Sequence, residues 1–198
     1  MMKFVARYRT KFSRAMGCAL VFFFAVSDKK LTGGGQIMFA TGCVLVGYAI
    51  AGRLWCASYI AGYKTNRLVM EGPYSICRNP LYFFSLLGGI GAGLCSKSLT
   101  ITAIIFTAFV VIYPITIGAE ERKLSVKFQE AYARYKEDVP RFIPKYSKLR
   151  EPAEYTVNAK TYRQEAIDAI CFVWIIALFE FVNALIEMQI IPTYFSIY

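Results

Sequence analysis

The chain has 198 residues, is 57% hydrophobic and only 18% charged, and carries a formal net charge of +10; its mean hydropathy is positive. A soluble domain holds about 45–50% apolar residues, and the cations here fall beside apolar runs, which favours a membrane surface over nucleic acid as their partner. Six Cys without a C-x-x-C pair, and no His, argue against a Cys/His metal site and remove the commonest general base.

A helix that spans hydrocarbon needs about 20 largely apolar residues. In chain order, Lys3, Arg7, Arg9, Lys11 and Arg14 precede a first candidate span at 12–27, read as retained rather than cleaved. Asp28 to Gly35 reads as a tight polar turn. The second span is 36–61 and holds Arg53, an intramembrane charge that either snorkels or points into a pocket. Residues 62–80 form a polar connection. The third span, 80–95, contains LGGIGAG, whose small residues permit close helix packing. After the Ser96-Lys97-Ser98 turn comes a fourth span, 99–118, where Pro114 is the expected kink. The segment 119–165 is the longest polar one. Its start is read as a helix leaving the membrane, with Leu124, Phe128, Ala131, Tyr132 and Tyr135 at helical spacing, ended by Pro140. A fifth span at 166–191 carries Glu180 and Glu187, for which the sequence names no partner.

The expected fold is therefore all-α: a polytopic integral membrane protein of about five transmembrane helices. Residues 1–35 form the first span and turn, 36–150 the core, and 151–198 a linker and additional helix through which the chain has a route to oligomers. With the amino terminus in the cytosol, that side collects nineteen cations in the tail, 62–80 and 119–165, against Lys29, Lys30 and Lys97 outside. That bias orients the chain and puts the carboxyl terminus on the outer or lumenal side. Both polar inserts then share the cytosolic face.

The insert that stands out is LVMEGPYSICRNPLY, Leu68 to Tyr82. Gly-Pro fixes a turn, and Asn79-Pro80 is a good helix start, with Asn at the cap and Pro at the first helical position. Free amides there would favour an anion. Tyr74 and Tyr82 flank that start, either to stack on a flat ring or to sit in the interfacial belt. Glu120 and Glu121 follow the fourth span. Adjacent helical residues point about 100° apart, so they do not form a paired-carboxylate centre; either one can accept hydrogen bonds from hydroxyls or an amine, or simply favour a solvated helix start.

LVMEGPYSICRNPLY, the acidic pair and the run FQEAYARYKEDVPRFIP together resemble the isoprenylcysteine carboxyl methyltransferase family and, more distantly, the phospholipid N-methyltransferases. GRLWCASYIAG fits the helix before the turn, and the resemblance covers about residues 47–145. It implies S-adenosylmethionine bound at a cytosolic pocket and a lipid-like or prenylated acceptor, with carboxyl O-methylation as one form of the reaction. It places Leu68, Val69, Tyr74, Pro80 and Tyr82 around the cofactor, and Glu120, with Glu121 beside it, at the cofactor-contacting acid. Asn79 replaces the His of many members; it keeps a donor and the cap but cannot act as a base. Asn66 stands where the eukaryotic enzymes carry another His. Thr116 stands where they carry a substrate-binding Arg, so the acceptor does not follow, and Arg53, Arg78 and Arg122 are the substitutes at hand. The catalytic residue stays unassigned. Two other readings compete: a non-catalytic scaffold or partner-binding subunit, and an NADPH-dependent sterol-reductase-like enzyme.

Overall fold

The computed structural model describes residues 27–29, 34–61, 67–190 and 195–197. The first candidate span, its basic tail and Asn66 lie outside the described residues. The architecture is all-α. Helices α1 (Gly35–Ile60), α2 (Pro73–Ile76), α3 (Pro80–Cys95), α4 (Leu99–Asp138) and α5 (Ala159–Glu187) follow one another, with a 3-10 turn at Tyr146–Lys148. Among the described residues, α1, α4 and α5 are long and apolar enough to cross a bilayer, and α3 is a shorter apolar helix. Their outward faces remain apolar: Ile115 is 73% and Trp174 72% exposed. Only a lipid environment makes such a surface tolerable.

The expected turn at Asp28 to Gly35 is corrected at its start. Ser27–Lys29 forms a strand, β1, paired in parallel with β2 (Phe195–Ile197), which brings the segment before α1 and the end of the chain to one end of the bundle. Gly35 abuts Lys97 at that same end. There Lys97 pairs with Glu180 Oε1 at 3.1 Å, and Asn183 donates to the same oxygen at 3.2 Å. This is the partner of Glu180 that the sequence did not name.

Helix α3 packs chiefly on α1. A Cβ on Gly42 would lie 2.5 Å from the carbonyl oxygen of Gly91, so the two backbones touch at a spacing only glycine permits. The LGGIGAG run is thus a packing surface. Helix α4 joins α5 through Ile101, Ile105, Phe179 and Val182. Ser98 caps α4 by accepting from the Ile101 amide at 3.3 Å.

Two expectations for the later spans are corrected. The fourth span at 99–118 and the helix expected to leave the membrane after it form one element reaching Asp138, and its break from helical geometry falls at Gln129, φ 40°, rather than at Pro114. Its far end has an apolar cover of its own: Tyr132, Tyr135 and Val139 pack with Leu68, Leu124 and Phe128. Helix α5 begins at Ala159, seven residues earlier than expected, because Asn158 accepts from the Thr161 amide at 3.1 Å as a cap. Tyr155, just upstream, stacks on Tyr59 of α1.

Arg53 turns inward. Its Nη1 donates to Ser85 Oγ of α3, and its guanidinium carbon lies 5.9 Å from the ring centre of Phe172 on α5.

Candidate functional site

The two polar inserts meet at the end of the bundle opposite the β1–β2 pair. Residues 72–78 and 140–150 run alongside each other in opposite directions. The Arg78 amide donates to Pro140 O at 2.9 Å, Lys145 to Ile76 O at 2.9 Å, and Gly72 to Arg150 O at 2.7 Å. Gly72 has φ +57° and its absent Cβ would sit 2.3 Å from Tyr59; the turn needs glycine on both counts. Ser75 ties the same junction, accepting from the Arg150 amide at 2.9 Å. Cys77 donates to Phe142 O at 2.9 Å. Burial pushes its thiol up to about 11, so at neutral pH Cys77 is a buried donor and not a nucleophile.

Asn79 occupies the cap position of α3 with Pro80 at the first helical position, as expected, but its side chain makes no cap bond. The amide nitrogen donates instead to Glu121 Oε1 at 3.1 Å and to Arg141 O at 3.0 Å. The expected free amides are also partly used: those of Tyr82 and Phe83 reach Asn79 O at 3.2 Å. The anion cradle read from the sequence is therefore corrected to a carboxylate network. Glu121, 16% exposed, is its hub. Arg78 approaches Oε1 at 3.6 Å and Arg141 meets Oε2 at 3.1 Å. One carboxylate thus holds two guanidiniums and one amide, and charge-assisted bonds of this kind are the strong ones.

Glu120 points elsewhere, as the 100° step requires. Burial holds the Tyr74 hydroxyl well above its usual range, and Glu120 and Glu165 are among the carboxylates adding to that rise. Tyr74, Glu120 and the first turns of α5 therefore share one electrostatic neighbourhood. Glu165 lies beyond the recognisable motifs, and the return of α5 brings it within electrostatic reach of Tyr74. Tyr135 donates to Tyr74 O at 2.7 Å and fixes the backbone there.

The remaining expected residues divide. Leu68 is half-buried against the α4 extension, and Val69 beside it is half-buried. Pro80 is buried. Tyr82 meets Tyr113 of α4 edge-on at 5.0 Å, so its ring packs between helices. Thr116 spends its hydroxyl on its own helix, donating to Ile112 O at 3.1 Å. Of the three arginines considered in its stead, Arg78 is committed to Glu121, Arg122 is exposed, and Arg53 lies inside the bundle.

The polar end carries charged groups of both signs. Glu121 supplies the carboxylate, and Arg78 and Arg141 the guanidiniums paired with it.

The sequence profile of phospholipid methyltransferases matches residues 29–131. The cobalt-zinc-cadmium resistance protein CzcN of Cupriavidus metallidurans is 40% identical over 69% of this chain, and the matched part spans 62% of that protein. The nickel-cobalt-cadmium resistance protein NccN of Alcaligenes xylosoxydans xylosoxydans is 34% identical over 79% of this chain and 73% of its own length. No solved structure matches. A profile match over half of the chain leads to one conclusion: the chain belongs to the phospholipid methyltransferase family of membrane methyltransferases.

Proposed function

We propose that this protein is an S-adenosylmethionine-dependent methyltransferase, with the cofactor held at the polar end and an amphiphilic acceptor entering from the bilayer. The observation that carries the reading is the convergence of Tyr74, Glu120 and the Asn79–Glu121–Arg78–Arg141 network from three separate segments. Glu120 is the acid we assign to the cofactor. Leu68, Val69, Tyr74, Pro80 and Tyr82 form the wall around it, and Asn79 with Glu121 holds that wall in place. When bound, the cofactor supplies a methyl group already activated by the sulfonium. The chain's part is then chiefly positioning, and exclusion of water by the aromatic side chains. No His is needed if the acceptor is a carboxylate, a thiolate or a neutral amine.

Arg53 is the residue we assign to the acceptor. Its guanidinium sits about 9 Å below the Asn79 end of α3, judging from the helical rise over the six residues to Ser85, and a fork of donors there suits a carboxylate or phosphate. The orientation we infer puts the polar end in the cytosol, because nineteen cations cluster on that side. CzcN and NccN carry metal-resistance names; methylation of a membrane lipid is compatible with such a setting and does not require the chain itself to bind metal.

Isothermal titration of the purified full chain with S-adenosylmethionine and its demethylated product tests the proposal. Binding is expected, and Glu120→Ala should weaken it at least tenfold while Glu187→Ala leaves it unchanged. Absence of binding by well-folded protein would sink the reading.

A further inference from the structure

The contact between α1 and α3 holds a pair of thiols that the polar end does not use. Cys43 Sγ lies 3.8 Å from Cys95 Sγ, and the two residues are 52 apart in the chain. Both are free cysteines; Cys43 is exposed on the surface of α1, and Cys95 is fully buried. Cys95 is the last residue of α3. Its thiol also donates to Phe39 O at 3.7 Å, so its sulfur sits between Phe39 and Cys43, one turn apart on α1.

A free Cys behaves as a small hydrophobe, and packing alone is the simplest competing account. That account covers Cys95. A Cβ on Gly42 would lie 2.7 Å from its sulfur, so the buried thiol fills the notch that Gly42 leaves. It does not cover Cys43, which is exposed and nevertheless sets its sulfur against the buried one.

The main chains also approach closely here. A disulfide spans Cα atoms about 4.4–6.8 Å apart and sulfurs about 2.0 Å apart. A Cβ on Gly42 would lie 2.8 Å from the Cys95 amide nitrogen. Helix α1 therefore touches the main chain of Cys95 itself, one residue before Cys43. The remaining closure of the sulfurs falls on Cys95 at the end of its helix, where the last turn adjusts more readily than an interior one.

We propose that Cys43 and Cys95 form a dithiol–disulfide site that closes a covalent staple between α1 and α3. The oxidant is a small disulfide able to enter hydrocarbon, since Cys43 lies about 12 Å along α1 from Gly35. The Cys43 thiolate attacks one sulfur of that disulfide, forms a mixed disulfide and expels one thiolate. The Cys95 sulfur then attacks the Cys43 sulfur, closes the protein disulfide and expels the second. The protein gives up two electrons and two thiol protons, and the oxidant leaves as two thiols. The orientation inferred above turns this end of the bundle outward, the side on which disulfides form and persist. The site is independent of methyl transfer and of the cofactor.

The test treats the full chain in neutral detergent with dithiodipyridine, blocks the remaining thiols with N-ethylmaleimide and maps the links by peptide mass spectrometry. The Cys43–Cys95 link should exceed any other pairing by roughly tenfold, because its sulfurs are already in contact. Cys171→Ser, which removes the exposed thiol of α5, should leave that link unchanged. Cys43→Ser should abolish it and leave the buried Cys95 without reagent. The oxidised chain should melt at a higher temperature than the reduced one, and a reductant should reverse the shift, because the bridge constrains 52 residues of unfolded chain. A stable mixed disulfide at Cys43 with no link to Cys95, a dominant link from Cys43 to another cysteine, or no rise in melting temperature on oxidation overturns the site.

Discussion

The α1–α3 seam and the polar end are both close-packed, yet they are built in opposite ways. The seam is made of absences: Gly42 and Gly91 bring two backbones together, and Gly52 admits the Phe84 ring. Apart from the Arg53–Ser85 contact, its pattern is local, a set of small residues at helical spacing. The polar end is made of pairs between residues far apart in sequence. Asn79 reaches Glu121 and Arg141, and the 72–78 strip is stitched to 140–150 through main-chain bonds. The difference teaches where each region is vulnerable. The seam fails when volume is added, whereas the polar end fails when one member of a pair is removed.

That contrast can be broken or sharpened by substitution. The largest effect should come from Gly42→Leu, which drives a side chain into the Gly91 carbonyl at 2.5 Å. The backbone cannot step aside, so a loss of about 3 kcal/mol or more is expected, measured as a fall in thermal midpoint with both regions unfolding together. Glu121→Gln should come next, at about 2–3 kcal/mol, because it leaves Arg78 and Arg141 without their shared counter-charge. Hydrogen exchange should rise in 72–78 and 140–150 while the seam stays protected. If both regions loosen equally, they are one cooperative unit and the contrast fails. Glu120→Ala, with its at least tenfold loss of cofactor affinity (about 1.4 kcal/mol), should leave both regions' protection unaltered.

Smaller still is Tyr146→Phe, which deletes a half-exposed phenol pairing with Tyr48 at about 0.5–1 kcal/mol and should free the 140–148 run without affecting the seam. Cys77 gives the least effect at neutral pH. Its pKa rises from 9.0 to about 11 on burial, so the folded state holds this proton more tightly than the unfolded one. The stability this contributes is fully present below pH 9 and is lost as pH rises towards about 11. Cys77→Ser should flatten that part of the alkaline stability curve; an unchanged curve would place the thiol in contact with solvent.

How far the chain could be read follows the same division. The bounds of α3, 80–95, were legible because Asn79-Pro80 and the Ser96-Lys97-Ser98 turn are local signals that bracket an apolar run. The glycine seam was legible for a similar reason. The length of α4 was not, because the switch from apolar to polar composition near 118 marks a change of solvent and not an end of the helix. The start of α5 was missed because the Asn158 cap precedes a polar first turn, which hydropathy ignores. Within the candidate site, Tyr74 and Glu120 were placed together by resemblance alone. The roles of Asn79 and Glu121 were not readable: a cap residue and its neighbours look the same in sequence whether the side chain caps or reaches across to another helix.

By itself, then, the sequence determined the solvent, the helical class, the polar ends and the family, since each is written in composition, local spacing or short motifs. Only the tertiary structure decided that Glu121 rather than Glu120 anchors the Asn79 network, that Arg53 faces Ser85 and Phe172, and that Glu180 finds Lys97. Those choices depend on the rotation of each helix about its axis and on where a long loop returns. Both are fixed by packing between segments more than thirty residues apart, which no local pattern records.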